Sequence, residues 1–323
     1  MKSEFEFIEI IRRRYSLSKI GDDCAVLPKD KQTDLVITTD LLVENIDFKL
    51  EWSKPEFIGH KALAVSLSDI AAMGAKPVWT LLSIGIPQKI WKTDFVEKFY
   101  DGYMRLAKKF NVEIVGGDIS KTPDKIVIDS IAAGELKRGK AILRSGAKVG
   151  DLIYVSGELG GAAAGLTLLE NGVRYDDRAK IWQKNLLLKQ LQPLPHIYSA
   201  QDLNAKNSPT AMIDLSDGLS SDLTHICRAS EVGAKIYADK IPLHKNLKSV
   251  TATFDEKLNY ALNGGEDFEL LFTHDPKKKI RLENEHKKPG FFCIGEITAN
   301  AEIIELIHKD RTEILQPKGF RHF

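Results

Sequence analysis

Strand-forming runs alternate with helical segments along the first half of this chain, and this order limits the fold more than any other feature. Apolar and β-branched residues cluster in TDLVITTDLLVE, WTLLSIGIP, VEIVGGD and KIVIDSIAAGEL, which is typical of strands that pack on a core. After the second run, DFVEKFYDGYMRLAKKF has the period of an amphipathic helix. We therefore predict an α/β layer architecture. The apolar face of that helix consists of Phe95, Phe99, Tyr103, Leu106 and Phe110.

The second half of the chain begins the same alternation again after a polar connection. Residues 134–151, GELKRGKAILRSGAKVGD, are basic and punctuated by glycine, as are many connections between domains. The following DLIYVSGELGGAAAGLTLLE predicts a strand, a glycine turn and a helix. With 323 residues the chain is long enough for two cores. We expect an N-terminal domain at 1–145 and a C-terminal α/β domain at 146–323.

Charge, hydropathy and cysteine pattern argue against several classes of protein. The net charge of +1 provides no field for nucleic acid or an anionic membrane. No apolar run is long enough to span a membrane, and the N-terminal residues 5–14 fit a short helix and lack the features of a signal peptide. Cys24, Cys227 and Cys293 lie far apart without metal-ligand spacing, and their odd number argues against a disulfide framework. We expect a cytoplasmic protein with neither nucleic acid nor membrane as a partner.

The stretch ALAVSLSDIAAMGAKP, residues 62–77, predicts a buried helix that contains one carboxylate. Its residues are almost all small or apolar, and Gly74 with Pro77 is a stop signal. Asp69 in the middle of this helix needs a positive partner if it is buried. A pair with Lys61 is one possibility, although eight residues leave a helical turn of neighbours between the two side chains. A bound metal ion is the other.

Further aspartates stand beside glycine at the ends of apolar segments. Carboxylates at such positions are costly to desolvate unless a cation balances them, and oxygen ligands of this kind favour Mg²⁺ or Mn²⁺ over zinc. The alternative is structural: Asp217 could cap the helix that begins near Leu219, and Asp23 could hold a turn before a strand. The acidic positions are Asp22, Asp23, Asp40, Asp69, Asp118, Asp214, Asp217, Glu266 and Asp267.

Several familiar catalytic motifs are missing from the sequence. It contains no G-x-x-x-x-G-K-[ST] loop, no G-x-S-x-G elbow and no protein-kinase signature. GELGGAAAG lacks the G-x-G-x-x-G spacing and is more typical of a tight turn between strand and helix. Arg144, among glycine and serine, could bind a phosphate through two hydrogen bonds or could be an ordinary surface arginine.

The ordered set of motifs resembles the thiamine-monophosphate kinase family, which shares a superfamily with aminoimidazole ribonucleotide synthetase. The matching segments run from residue 21 to the last residue. They are GDDCAV, TTDLLVE, KALAVSLSDIAAMGAKP, GGDIS, LRSGAKVGD, IDLSDGL, GGEDFELLF and PKGFRHF. The resemblance implies an α/β (α+β) fold with two domains, in which the sheet of the first domain forms a homodimer interface and helices cover the sheet of the second.

The resemblance also implies an activity and a set of site residues. The activity is the ATP-dependent phosphorylation of thiamine monophosphate to thiamine diphosphate with several Mg²⁺ ions. The alternatives are another activity of the superfamily, such as an ATP-dependent cyclo-ligase, and, from a different class, a nucleotide-binding maturation factor without kinase turnover. Asp69, Asp40 and Asp118 are the implied catalytic residues. The implied metal ligands are Asp23, Thr38, Thr39, Asp40, Asp69, Asp118, Asp214 and Asp217. The implied ATP contacts are Tyr100, Gly117, Asp118, Arg144 and Ser216. The implied contacts of the thiamine substrate are Asp47, Glu266 and Phe320.

One position departs from the family pattern at the substrate site. Where the family usually has Gly-x-His-Phe, this chain has Asn45, Ile46, Asp47 and Phe48, so a carboxylate replaces a histidine. A carboxylate is unfavourable beside a phosphate but tolerable beside the cationic thiazolium of thiamine. Ser66, where asparagine is common, is a milder change.

Overall fold

The computed structural model describes residues 4–278 and 290–320. The charged segment that follows His274 and the final three residues of PKGFRHF therefore lie partly or wholly outside the described residues. The first half contains α1 (Glu4–Arg14), β1 (Ala25–Pro28), β2 (Thr33–Val43), α2 (Pro55–Ala72), β3 (Lys76–Pro87), α3 (Gln88–Trp91), α4 (Phe95–Phe110), β4 (Glu113–Thr122) and β5 (Val127–Lys137).

The second half continues the alternation of strands and helices. Its elements are β6 (Leu152–Val155), α5 (Gly161–Glu170), α6 (Ile181–Leu191), α7 (Ile197–Ala205), β7 (Pro209–Asp214), α8 (Leu219–Ser230), β8 (Gly233–Tyr237), α9 (Phe254–Asn263), β9 (Leu270–His274), β10 (Phe292–Thr298), β11 (Ile304–His308) and β12 (Arg311–Ile314). Within the described residues, no helix is both long and apolar enough to cross a membrane.

The first sheet has five strands in the order β1-β2-β5-β3-β4. Adjacent strands of this sheet are antiparallel except for β3 and β4, which run parallel. On β2, Val36, Thr38 and Leu42 are buried whereas Thr39 and Leu41 are exposed, because successive side chains of a strand point to opposite faces. One face of this sheet therefore packs on the core, and the other is open along β2.

The second sheet has seven strands in the order β12-β11-β8-β10-β6-β9-β7. Only the pair of β11 and β8 is parallel among its described strand pairs. Helix α8 packs against it through Leu219, Leu223 and Ile226, which are fully buried. Both halves therefore have a sheet with helices, as predicted.

Helix α2 lies in the core between the two sheets. Leu63, Leu67 and Ile70 are fully buried, and one continuous apolar cluster joins them to Met212 and Phe272 of the second half. A helix that is apolar on all sides is expected at such a central position. It begins at Pro55, seven residues before the stretch from which it was predicted.

Two glycines allow α2 and α4 to approach each other closely. A Cβ atom on Gly59 would lie 1.9 Å from the carbonyl oxygen of Phe99, and one on Gly102 would lie 1.8 Å from that of Glu56. Both distances are far below van der Waals contact, so only glycine fits at either position. The two helices are thus fixed relative to each other by backbone contact.

Candidate metal and substrate site

Aspartates from both halves of the chain meet beside α2. Asp23 precedes β1, Asp69 is on α2 and Asp214 ends β7, and one carboxylate oxygen from each lies within 4.8 Å of the others. Asp23 and Asp214 are buried, and Asp69 is half-buried. Residues far apart in sequence thus form one acidic cluster.

Neighbouring hydroxyl groups orient this cluster. Thr38 Oγ1 donates a hydrogen bond to Asp69 Oδ2 at 2.5 Å, and Ser68 Oγ donates to Asp214 Oδ2 at 2.5 Å. Asp40 is two residues after Thr38 on β2, so both side chains lie on the core face of the sheet. Because its charge acts on Asp69, Asp40 is the fourth member of the acidic cluster. Thr39 lies on the opposite face, where its hydroxyl donates to Asp129 at 2.6 Å.

The carboxylates of the cluster hold their protons more strongly than ordinary aspartates. Burial, followed by the charges of Asp40, Asp214 and Asp23, raises the pKa of Asp69 well above its usual range. Burial and Asp23 raise the pKa of Asp214 to about 8, and burial raises that of Asp40 to about 6. Like charges in a buried site have this effect when no cation neutralises them.

Two oxygen atoms of the cluster have no partner within the described part of the chain. Asp23 Oδ2 and Asp40 Oδ2 are both buried and accept no hydrogen bond there. Buried polar atoms are nearly always paired in native proteins. Several converging carboxylates with free oxygens match the donor set that Mg²⁺ prefers, so the residues present fit such a cation.

Arg144 is the basic group closest to these carboxylates. Its Nη2 and Nε atoms lie 2.6 and 3.1 Å from Asp23 Oδ1, and its backbone N–H donates to Asp22 Oδ1 at 3.1 Å. Burial and the charge of Asp23 raise the pKa of Asp22 to about 6. Arg144 is therefore part of the site and not an ordinary surface arginine.

A second acidic group adjoins the first at the start of α8. Ligand atoms of Asp217, Asp222 and His225 lie within 4.8 Å of one another. The helix has Gly218 as its N-cap residue, and Asp222 Oδ2 accepts hydrogen bonds from the backbone N–H groups of Asp217 and Gly218. The N-cap position considered for Asp217 is thus occupied by Gly218, and Asp222 binds the two N–H groups just before the helix. Burial lowers the pKa of His225 to about 4.

The segment GGEDFE brings Glu266 next to these groups. The backbone N–H of Glu266 donates to Ser216 O at 2.8 Å, and the backbone N–H of Phe320 donates to Asp217 O at 3.2 Å. Glu266 has a φ of +68°, a conformation that is uncommon outside glycine and often occurs at functional sites. Backbone hydrogen bonds therefore join Glu266 and Phe320 to the segment that contains Ser216 and Asp217.

The carboxylate of Glu266 is the partner of Lys61. Lys61 Nζ lies 2.5 Å from Glu266 Oε1, so the pair considered between Lys61 and Asp69 does not form. The carboxylate of Asp47 accepts a hydrogen bond from the backbone N–H of Val43 at 2.7 Å, and Lys61 Nζ donates to the carbonyl of Asp47 at 3.4 Å. Asp47 thus closes its own loop beside the residue that binds Glu266.

Two other carboxylates of the same segment, Asp267 and Glu269, stabilise the fold, and the sequence analysis did not predict this role. Asp267 Oδ2 and Oδ1 accept hydrogen bonds from the backbone N–H groups of Gly160 and Ala162 at 2.5 and 3.0 Å. They fill the N-terminus of α5, so the glycine turn before that helix holds a carboxylate of the chain itself. This agrees with the interpretation of GELGGAAAG as a tight turn.

Glu269 is the second anchor. Its carboxylate contacts Lys189 Nζ at 2.8 Å, His196 Nε2 at 2.7 Å and Ser156 Oγ at 2.7 Å. Burial by itself would raise its pKa, but His196 and Lys189 outweigh that effect and hold the pKa of Glu269 well below its usual range. No motif indicated these partners, because Ser156 lies more than 100 residues before Glu269 and Lys189 and His196 more than 70 residues before it.

The remaining predicted site residues lie on or near the first sheet and do not belong to the acidic cluster. Asp118 is exposed on the edge strand β4, in register with Ser83. It is not among the carboxylates whose oxygens converge in the described residues. A Cβ atom on Gly117 would lie 1.9 Å from Leu82 O. Tyr100 is half-buried on α4, with its ring 5.9 Å from that of Phe99.

Comparison with known proteins identifies the family. The AIR synthase related protein N-terminal domain matches residues 21–136, and the corresponding C-terminal domain matches residues 148–307. A thiamine-monophosphate kinase of Buchnera aphidicola is 40% identical, with 99% of both chains covered. That of Bacillus subtilis is 35% identical over 94% of this chain and 93% of the relative. The chain belongs to the thiamine-monophosphate kinase family.

Solved structures agree with this family assignment and with the predicted α/β fold. A structure described as AaThiL complexed with AMPPCP and TMP matches with a TM-score of 0.86 and 32% identity, covering 99% of this chain and 97% of the other. A hydrogenase maturation protein HypE in complex with ATP matches with a TM-score of 0.69 at 16% identity, over 98% and 95% of the two chains. At that identity the second likeness concerns the fold alone. The family and fold predicted from the motifs are thus confirmed.

Proposed function

We propose that this chain transfers the terminal phosphoryl group of ATP to the phosphate of thiamine monophosphate, giving ADP and thiamine diphosphate. The observation that carries the proposal is the convergence of Asp23, Asp69 and Asp214 within 4.8 Å, from both halves of the chain. Its family supports the same reaction, and a relative has been solved with an ATP analogue and TMP. The cytoplasmic location predicted from the cysteine pattern is part of this proposal.

The acidic residues would hold several Mg²⁺ ions. Bound there, Mg²⁺ neutralises negative charge on the two phosphate-bearing substrates. Asp69 has the central position, since its pKa responds to Asp40, Asp214 and Asp23 together. The proposed ligands are Asp23, Thr38, Asp40, Asp69, Asp214 and Asp217, together with Thr39 and Asp118, which lie outside the acidic cluster and are proposed from the family resemblance alone. Asp69, Asp40 and Asp118 are the proposed catalytic residues.

The chain's own residues have to bind and orient two anions. We assign ATP to Tyr100, Gly117, Asp118, Arg144 and Ser216. Arg144 presents a planar guanidinium that suits phosphate oxygens, and its present contact with Asp23 keeps it beside the acidic cluster. Asp47, Glu266 and Phe320 are assigned to the thiamine substrate, where Glu266 can face its cationic or N–H-bearing rings.

The reaction requires no general base from the protein. The nucleophile is a phosphate oxygen of thiamine monophosphate, and the second pKa of about 6 for a phosphate monoester leaves it largely ionised at neutral pH. The task of the site is to bring two anions into line and to exclude other nucleophiles. This agrees with a site that is rich in carboxylates and lacks an obvious catalytic histidine.

The first sheet is the proposed homodimer interface. Leu41 is 60% exposed on the open face of β2, and an exposed apolar face of a sheet is commonly covered by a partner. We expect Leu41→Asp to convert a dimer to a monomer in sedimentation equilibrium. Ile314→Asp is the matched control, because Ile314 is 51% exposed on the edge strand of the other sheet. A wild-type monomer, or a Leu41→Asp dimer, would contradict the proposed interface.

The activity is tested by incubating the full chain with ATP, Mg²⁺ and thiamine monophosphate. We expect ADP and thiamine diphosphate in equal amounts, measured by chromatography, and no product when the divalent cation is chelated. ATP binding without any change in thiamine monophosphate, or ATP hydrolysis that thiamine monophosphate does not affect, would instead favour a maturation factor or another activity of the superfamily.

A further inference from the structure

The Glu266 carboxylate is held from two sides by buried residues. Lys61 on α2 lies with Nζ 2.5 Å from Oε1, and the side-chain amide of Gln190 on α6 donates to Oε2. Lys61 and Gln190 are each only 5% exposed. The charge of Glu266 is therefore balanced, and its orientation is fixed by groups from both halves of the chain.

The hydrogen bond to Glu266 determines which way the Gln190 amide points. A carboxylate that is paired with a lysine is ionised and can only accept hydrogen bonds. The amide nitrogen of Gln190 must therefore face Glu266, and Oε1 is left to find a donor elsewhere. Within the described residues, Gln190 Oε1 is buried and accepts no hydrogen bond. An acceptor of this kind is costly unless a ligand supplies the donor.

Helix α2 gives the distance between the acidic cluster and the position of Gln190, because Lys61 on this helix shares Glu266 with Gln190. Lys61 and Asp69 are eight residues apart on one helix, which corresponds to about 12 Å at 1.5 Å per residue. With the acceptor phosphate near Asp69, the far end of the substrate reaches towards Lys61 and Glu266. In thiamine monophosphate that far end is an aminopyrimidine, whose exocyclic amine is an N–H donor.

We propose that Gln190 Oε1 accepts a hydrogen bond from the exocyclic amine of the substrate's aminopyrimidine, with Glu266 as the neighbouring acceptor. This inference rests on the proposed function. Gln190 is then a specificity-determining residue: an otherwise identical phosphate monoester with an oxo group in place of the amine is rejected, because two acceptor oxygens would face each other.

The experiment measures how well the full chain, with Mg²⁺ and ATP, phosphorylates two different substrates. They are thiamine monophosphate and its oxo analogue, oxythiamine monophosphate. For wild type we expect kcat/KM at least about tenfold lower with the oxo analogue. In Gln190→Met the KM for thiamine monophosphate rises about tenfold, the preference between acceptors is lost, and the KM for ATP is unchanged. Gln192→Met, on the residue directly after α6, is the control and should retain wild-type values.

The ratio of kcat/KM for the two acceptors does not depend on the fraction of folded enzyme, so partial misfolding of a variant cannot imitate the result. Gln190→Asn, which keeps the amide but shortens its reach, serves as a second variant and should also reduce the preference. An unchanged ratio in both variants would overturn the role of Gln190 while thiamine diphosphate is still formed. If wild type forms no thiamine diphosphate, the proposed function fails and this inference with it.

Discussion

Two groups of carboxylates lie a short distance apart in this molecule and are stabilised in opposite ways. The acidic cluster of Asp23, Asp40, Asp69 and Asp214 has Arg144 as a basic neighbour and contains buried oxygens without a partner among the described residues. In the segment GGEDFE every carboxylate has polar partners within the chain. Glu266 pairs with Lys61, Asp267 with the N-terminus of α5, and Glu269 with Lys189 and His196.

The pKa values of Asp69 and Glu269 show this difference, whereas burial raises the pKa of Asp267 in the second group to about 6. Burial and like charges raise the pKa of Asp69, whereas His196 and Lys189 outweigh burial and lower the pKa of Glu269. Desolvation acts on both groups, so the neighbouring charges decide the sign. Where the chain provides the cations, the carboxylates hold the fold and orient the site. Where it provides too few, the carboxylates remain available for metal ions.

The largest expected effect comes from neutralising the acidic cluster. Asp69→Asn should reduce kcat by about 10³-fold, because an electrostatic contact to the reacting groups is lost. Its Tm in the absence of divalent cations should stay level or rise, since a mutually repelling charge is removed. Calorimetry and the kinase assay measure the two quantities. Glu302→Gln, on an exposed pair with Arg228, is the control, and a near-normal rate for Asp69→Asn would reduce Asp69 to a structural role.

The second prediction concerns the carboxylates of GGEDFE, which have their partners within the chain. Glu269→Gln should lower the free energy of unfolding by about 3 kcal/mol, because it breaks a buried ion pair and leaves Lys189 and His196 without their carboxylate. The folded fraction should retain kcat within a few-fold. Urea unfolding measures the loss. Glu305→Gln breaks a half-exposed pair with Lys235 and should cost less than about 1 kcal/mol; equal losses in the two variants would erase the distinction between the groups.

The smallest expected effect is a pH dependence of stability without metal. The pKa of Asp214 rises from 3.8 to about 8 and that of Asp40 from 3.8 to about 6. Between about pH 4 and 8 the folded state therefore holds protons that the unfolded chain has released, so stability falls as pH rises through this window. With EDTA we expect the Tm to fall by about 2–4 °C from pH 6 to pH 8.

Mg²⁺ should reverse that loss, since it replaces the protons. Its stabilising effect on Tm is expected to be larger at pH 8 than at pH 6, and calorimetry with and without the cation measures both. Asp214→Asn is the matched variant and should show a flatter pH dependence. A Tm that rises with pH in EDTA, or an equal effect of Mg²⁺ at both pH values, would contradict the assignment of the cluster to cations.

The α/β alternation and the unusual position of Asp69 could be recognised in the sequence because both are local. A carboxylate inside a small-residue helix stands out from its neighbours, and strand periodicity places Thr38 and Asp40 on one face. The partner of Lys61 could not be predicted in this way. Glu266 is about 200 residues further along the chain, and only the packing of α2 between the two sheets brings them together.

The sequence also could not show which of two neighbouring acidic residues binds the backbone and which is left for a ligand. Asp217 and Asp222 are both near the start of α8, and the sequence does not show that Asp222 provides the backbone acceptor. Glu269 is one of several acids in GGEDFELLF, and its partners come from two distant segments, around Ser156 and between Lys189 and His196. Such contacts are set by tertiary packing, which short motifs do not encode.

The backbone contact of α2 with α4, at Gly59 and at Gly102, has a consequence for inherited variation. Neither glycine is near a reacting atom, yet α2 carries Lys61 and Asp69 in fixed positions only while these two backbones touch. A single added methyl group would move the helix and displace both side chains at once. An alanine allele at Gly102 should therefore resemble an active-site allele in its phenotype, although Gly102 itself binds neither substrate nor metal in the proposal.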